Sequence, residues 1–194
     1  MGTLRLPLPG HHHGLNALAA LAVAEAMDIP WATAMEALAC FPGTGRRFEV
    51  KVEAGGVLVI DDYAHHPGEI RATLQAARGR YPGRRLWAVF QPHTYSRTRA
   101  FLEDFARALA EADRVLLTPI YAAREIDSMG VSSQDLLARM GHPGARYVPD
   151  FETAVAVLLA EVRPGDVVLT LGAGDGYRIG ERLLEALRRR EGQG

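Results

Sequence analysis

The chain has 194 residues, 48% of them hydrophobic and 23% charged, with 22 basic against 23 acidic side chains and a net charge of −1. This is the composition of an ordinary globular protein, and so small a net charge gives no electrostatic reason to expect nucleic acid or an anionic membrane as partner. No apolar run approaches the roughly 20 residues of a bilayer span, the MGTLRLPLPG start lacks a signal-peptide core, and the single cysteine, Cys40, excludes an internal disulfide, so a cytoplasmic location is the expectation.

After a proline-rich extended start, GLNALAALAVAEAM (14–27) carries apolar residues at helical spacing and reads as a buried helix. Pro30 opens a second helix over about 31–40. FPGTGRRFEV then breaks the pattern with Pro42, Gly43 and Gly45, and a domain boundary is placed near residue 47. Two runs flanking Ala54-Gly55-Gly56 predict a β-hairpin. From Val57 onward strand and helix alternate. Strands are predicted at Val57–Asp61, Leu86–Phe90, Val115–Thr118, Arg146–Val148 and Val167–Leu171. Helices are predicted at about Pro67–Arg78, Ser96–Glu111, Ser132–Met140, Phe151–Val162 (with Asp150 as N-cap) and from the last strand to about Arg190. Such alternation argues for an α/β fold with a doubly wound, mostly parallel sheet.

The chemistry-bearing stretches follow the strands. DDYAHHPGEI (61–70) puts Asp61, Asp62, His65 and His66 at the carboxyl end of an apolar strand, where open α/β sheets bind ligands. FQPHTYSRTRAF (90–101) does the same with His93, Arg97 and Arg99, at or just before a helix start where guanidinium groups and backbone N–H groups both favour an anion such as a carboxylate or phosphate. GTGRRF (43–48) sets Arg46 and Arg47 at the presumed hinge, from which an arginine could reach a phosphate. Adjacent imidazoles such as His65-His66 or His11-His12-His13 point different ways and make a poor metal set, so no metal ligands are assigned. Asn16, the only asparagine, is either a capping residue or a ligand-facing amide. TLGAGDGYRIG (170–180) does not give G-x-G-x-x-G and reads as a glycine-rich turn beside the same cleft rather than a dinucleotide site. Lys51 is the only lysine, so no G-x-x-x-x-G-K-[ST] phosphate loop exists in this chain.

Taken in order, PGHHHGLNALAA, FPGTGRRFE, DDYAHHPGEI, FQPHTYSRTRAFLEDFA and LTLGAGD resemble the C-terminal part of a Mur ligase, and the resemblance covers nearly the whole chain. It implies a fragment of a longer enzyme. Residues 1–47 would be the mostly helical tail of a central ATPase domain, and 48–194 a complete Rossmann-like C-terminal domain. It also implies ATP and Mg2+ as cofactors, with their main sites outside this chain. The implied reaction, in peptidoglycan precursor synthesis, is amide formation through an acyl phosphate. The motifs are most similar to the branch that joins L-alanine to UDP-N-acetylmuramate; a ligase that recycles muropeptides by attaching a tripeptide is the alternative. Carried over by the resemblance, Asn16, Arg47, Asp62 and His13 belong to the nucleotide side, whereas His65, His66, His93 and Arg97 belong to the amino-acid side. Of these, His65, Arg97 and Asp62 are the expected catalytic residues. Two departures stand out: His11-His12-His13 replaces a usual Arg-His-Asn, and Thr94 stands where some members have a second arginine. Either Asp62→Ala or Arg47→Ala is expected to abolish turnover with the fold intact.

Overall fold

The structure, a computed structural model, describes residues 3–192. Two helices, α1 (His11–Ala26) and α2 (Trp31–Ala39), precede a six-stranded sheet. The hairpin strands β1 (Glu49–Ala54) and β2 (Val57–Asp62) are joined through Gly55 and Gly56, both at positive φ (57° and 71°), as a two-residue hairpin loop prefers. There follow α3 (Pro67–Arg80), β3 (Leu86–Phe90), α4 (Tyr95–Ala100), α5 (Leu102–Leu109), β4 (Arg114–Leu117), α6 (Ser133–Met140), β5 (Ala145–Tyr147), α7 (Phe151–Glu161), β6 (Val167–Leu171) and α8 (Tyr177–Glu191).

The sheet order is β1-β2-β6-β3-β4-β5, with β1 antiparallel to β2 and every other pair parallel. The strands read as continuous apolar runs because both faces are covered. Along β2 and β3 alternate residues divide cleanly. Leu58, Ile60, Leu86, Ala88 and Phe90 join α3, α5 and α6 on one face, whereas Val57, Val59, Trp87 and Val89 join α7 and α8 on the other. Each such fully buried large side chain contributes about 1.5–3 kcal/mol. The doubly wound, mostly parallel architecture is therefore as the alternation predicts.

Three local differences have physical reasons. α1 starts at His11, three residues early, so the histidine run forms its first turn. α1 also buries only a stripe, Ala17, Leu21 and Ala24, and leaves Leu15, Leu18 and Val23 exposed; α2 and α3 are the elements it packs against most. The helix expected over 96–111 is two helices, interrupted at Phe101, whose backbone leaves the helical region (φ −118°) while its ring packs against the core and edge-on to His66. No proline or glycine announces that break. No described helix is long and apolar enough to cross a membrane.

Candidate functional site

The parallel strands place the loops after β2, β3 and β6 side by side, because β6, last in sequence, lies between the other two. The linker 42–48 runs onto this edge and is fastened there. Arg46 and Phe48 both occupy the left-handed region (φ 58° and 47°), a conformation that costs a residue with a Cβ on the order of 1–3 kcal/mol and persists only where surroundings enforce it. The surroundings are visible. The Phe48 ring is buried in the core, its N–H donates to Asp62 Oδ2 (2.8 Å), and the Tyr63 N–H donates to the Arg46 carbonyl (2.7 Å).

Asp61 and Asp62, adjacent and both buried, are not equivalent. Asp61 accepts from Arg46 Nε (2.9 Å) and from the Thr170 hydroxyl (2.7 Å). Asp62 accepts from the backbone N–H groups of Phe48 and Ala64 (2.8 Å each) and from the Thr73 hydroxyl (3.2 Å). Burial pushes the Asp62 carboxyl above its ordinary value, against the lowering effect of those hydrogen bonds. Asp62 thus fastens the linker as well as facing the cleft, so Asp62→Ala also loosens the hinge. The Asp62→Ala change is therefore expected to disturb the linker as well as the cleft.

Between α1, the linker and α3 lies a cavity of about 630 Å3, within the size range of small-molecule sites. Asn16, His13, Arg47 and Asp62 all line it, together with His12, Thr44, Glu69 and Thr73 and an apolar wall that includes Leu38 and Phe41. The Arg47 guanidinium is half exposed; its described partners are Glu69 at 3.8 Å and the Tyr63 ring at 5.3 Å, so it keeps donors free. His13 Nε2 is buried without a hydrogen-bond partner among the described residues. Burial lowers the pKa of both His12 and His13; at His13, proximity to His12 and Arg47 adds to the effect. A neutral imidazole with a vacant ring nitrogen, a guanidinium with donors to spare and an exposed amide are the groups a polyanion with a hydrogen-bonding base requires.

The second cluster lies beyond the ends of β2 and β3. His65 Nδ1 is 2.9 Å from the Tyr63 carbonyl, which can only accept, so Nδ1 carries the proton and Nε2 of the neutral ring is an acceptor. His93 lies 6.1 Å away, ring to ring, and stacks on Tyr121 at 5.5 Å. Arg97 Nη1 donates to the His93 carbonyl (2.5 Å) and lies 3.2 Å from His93 Nδ1. Burial, then the charge of Arg97, lowers the His93 pKa. Among the described residues Arg97 bonds through Nη1 alone, leaving the rest of the fork for an anion.

His66 occupies a different environment: it is the N-cap of α3, its Nδ1 accepts from the Gly68 N–H (3.3 Å), and Glu69 closes the capping box by accepting from the His66 N–H (3.1 Å). Arg99 reaches only the Met129 carbonyl, at 3.5 Å. The α4 start, read from sequence as offering backbone N–H groups to a ligand anion, has one supplied by the chain itself. Glu125 accepts from the Ser96 N–H (3.0 Å), the Ser96 hydroxyl and the Thr94 hydroxyl (2.7 Å). The Ser96 hydroxyl, with the other donors there, lowers its pKa to about 2. The guanidinium of Arg97, not the helix start, is therefore the available anion partner.

The glycine-rich turn after β6 is close-packed. A Cβ on Gly172 would lie 2.6 Å from the Gln91 carbonyl, and one on Gly174 would collide with the Gln91 side chain. Gln91 Nε2 donates to Asp175 (2.9 Å), and its Oε1 accepts from the Gly176 N–H (2.8 Å). The glycines serve the approach of Gln91, which occupies the space over the turn. Sequence reading missed Gln91, Tyr63, Tyr121, Glu125 and the role of Arg46. Arg46, Tyr63 and Gln91 had a signal, their places in GTGRRF, DDYAHHPGEI and FQPHTYSRTRAF; Glu125 lies 29 residues from Ser96 and nothing local links them.

The family described as Mur ligase, glutamate ligase domain, matches residues 46–174. A UDP-N-acetylmuramate–L-alanine ligase of Caldanaerobacter subterraneus subsp. tengcongensis is 49% identical over 95% of this chain and 40% of its own length. One from Thermobifida fusca is 49% identical over 94% and 40%. Among solved structures, the UDP-N-acetylmuramate–alanine ligase of Thermotoga maritima superposes with a TM-score of 0.78 at 33% identity, covering 98% of this chain and 40% of that one. A murein peptide ligase of Psychrobacter arcticus gives 0.73 at 26% identity, covering 95% and 38%. The chain spans about 40% of the length of the curated relatives it matches. It belongs to the Mur ligase family.

Proposed function

From that membership and from the two clusters on one sheet edge, we propose that this chain supplies the nucleotide-facing and amino-acid-facing wall of a cleft in an ADP-forming ligase. That ligase joins L-alanine to UDP-N-acetylmuramate in peptidoglycan precursor synthesis, a cytoplasmic reaction by its nucleotide substrates. In the family scheme the muramic carboxylate takes the γ-phosphoryl group of ATP, releasing ADP and forming an acyl phosphate; the alanine amine attacks that carbonyl and inorganic phosphate leaves. Residues 1–47 are read as the tail of the ATPase domain and 48–194 as the closing C-terminal domain. The exposed apolar faces of α1 are then the surface on which the rest of that ATPase domain packs.

The observation that carries the reading is that Asn16, His13, Arg47 and Asp62, spread over residues 13–62 of the chain, line one cavity, whereas His65, His93 and Arg97 gather separately beside it. In this scheme Arg47 offers its free donors to the nucleotide phosphates and His13 Nε2 accepts from, or in its other tautomer donates to, the nucleotide. Arg97 pairs with the alanine carboxylate as a guanidinium fork does. His65 Nε2, an acceptor because Nδ1 is tied to Tyr63, takes a proton from the alanine ammonium and so frees the attacking amine. His93, held neutral by burial and by Arg97, keeps that guanidinium in place without competing for the carboxylate. His66 contributes through α3, which it caps.

Among the described residues no group of three or more His, Cys, Asp or Glu side chains could hold a metal ion by itself, and Mg2+ ordinarily takes one or two carboxylates together with substrate phosphates. Magnesium bound to the nucleotide would take its protein ligands from elsewhere in the enzyme, and no step on this wall runs through it.

The test uses the enzyme at its relatives' full length and follows ADP release with UDP-N-acetylmuramate and Mg2+, comparing L-alanine with the tripeptide L-alanyl-γ-D-glutamyl-meso-diaminopimelate. Release that depends on L-alanine is expected. Release with the tripeptide alone would reassign the protein to muropeptide recycling, and release with neither would remove the ligase reading.

A further inference from the structure

Arg46 and Arg47 are identical neighbours with opposite surroundings. Every nitrogen of the Arg46 guanidinium donates: Nε to Asp61 (2.9 Å), Nη1 to the Gly174 carbonyl (3.1 Å) and Nη2 to the Gly172 carbonyl (2.7 Å). Its planar head also lies against two rings, Tyr63 at 5.1 Å and Tyr177 at 4.7 Å, an arrangement suited to a delocalised cation. The residues it joins come from the ends of β2 and β6 and the start of α8. On the main chain, the Arg46 N–H donates to Glu49 (2.8 Å) and its carbonyl accepts from Tyr63. With Phe48 buried and bonded to Asp62, the chain is fixed immediately before and after Arg47. Arg47 itself has only a distant carboxylate and the Tyr63 ring that it shares with Arg46.

We propose that Arg46 is a positioning residue that acts through Arg47: by bridging the carboxyl ends of β2 and β6, it holds the left-handed turn that aims the Arg47 guanidinium into the 630 Å3 cavity. The proposal rests on the nucleotide reading of that cavity. It goes beyond that reading by assigning the first arginine of GTGRRF no ligand contact and a specific effect on one substrate. It also moves residues 46 and 47 from the tail of the ATPase domain into the C-terminal rigid unit, so that any swivel between the two parts of the enzyme is taken up N-terminal to Arg46.

A double-mutant cycle tests it. In the full-length enzyme, Arg46→Ala is expected to raise the KM for ATP on the order of 10- to 100-fold, the scale of a misplaced binding group, with the KM for L-alanine unchanged. In an Arg47→Ala background, which is not expected to turn over, the cycle is closed on the dissociation constant of ATP measured for all four proteins, and the same change is expected to cost less than about twofold because the group it positions is gone. Arg46→Lys is expected to rescue poorly, since one ammonium cannot span a carboxylate and two carbonyls between two rings. A merely structural role would instead raise both KM values together, or cost as much with Arg47 absent as with it present; either result overturns the proposal. Amide hydrogen exchange of the 194-residue chain supplies a readout that needs no turnover. Arg46→Ala, or the milder Tyr177→Leu if the first variant does not fold, is expected to accelerate exchange at Phe48 and Tyr63. Unchanged exchange there would overturn the clamp even in an active enzyme. A wild type that releases no ADP would count against the nucleotide reading alone, leaving the clamp to be judged by exchange.

Discussion

The two ends of the parallel strands carry the same residue types to opposite effect. At the amino end, Asp166 accepts from Arg85 (Nε 3.1 Å, Nη2 2.6 Å), from the Trp87 indole N–H (3.1 Å) and from the Arg163 N–H (3.0 Å), while the Arg85 guanidinium lies over the Trp87 ring. Nearby, Asp113 takes the Leu86 N–H (2.7 Å) and Arg78 (3.0 Å). The donors and acceptors that close these strand ends are matched, so the cluster has little left to offer a ligand. At the carboxyl end, Arg47, Arg97, His13 and His65 each retain a donor or acceptor without a partner among the described residues. An ion cluster in an α/β sheet is therefore read by what remains unpaired, not by its composition. Arg46 sharpens the point: it lies at the functional end but is bonded like the residues of the other one.

The largest expected break of this comparison is at the closed end. Asp166→Ala leaves Arg85 and the Trp87 indole without their acceptor and should lower stability by about 3–5 kcal/mol, read by chemical denaturation, while turnover per folded molecule in the full-length enzyme is unchanged. Gly172→Ala tests whether packing alone matters next to the open end. With φ at 139° and a Cβ 2.6 Å from the Gln91 carbonyl, it should cost about 2–3 kcal/mol without a selective change in either KM. Arg97→Ala should do the reverse, raising the KM for L-alanine by roughly 10- to 100-fold, as the loss of a charge-assisted contact of about 1.5–3 kcal/mol predicts. Its stability should stay within about 0.5 kcal/mol of wild type.

The smallest effect concerns Glu125, whose carboxyl is lowered from 4.5 to about 2 by the Ser96 and Thr94 donors. A depressed folded-state pKa gives a contribution that is complete above about 4.5 and is lost as pH falls toward 2. Melting curves of Glu125→Gln should therefore show a shallower loss of stability across that window than wild type, and a carboxyl-carbon NMR titration should place the midpoint near 2. A midpoint near 4.5 would show that Glu125 does not cap α4.

How much of the molecule was legible beforehand depended on the range of the forces involved. The apolar runs Val57–Ile60 and Leu86–Phe90 and the helix between them follow from periodicity, a local property. So do the Gly55-Gly56 hairpin and the Asp150 cap of α7, which accepts from the Thr153 N–H at 2.6 Å. The break at Phe101 was not legible, because it is set by packing against residues from α3 rather than by a helix breaker. Four residues that line the cavity, His13, Asn16, Arg47 and Asp62, were grouped beforehand through the resemblance of their motifs, but its shape depends on how α1, the linker and α3 come together.

By itself, the sequence determined the strand and helix alternation, the ends at which its polar motifs fall, and the family to which those motifs belong; each depends on residues adjacent or periodically spaced along the chain. Only the tertiary structure decided that β6 inserts between β2 and β3, that Glu125 fills the start of α4, and that of two adjacent arginines one is bound by the fold and the other is free. Those outcomes depend on hydrogen bonds spanning up to 128 residues, from Arg46 to Gly174, and no local pattern encodes which partner a side chain meets at that range.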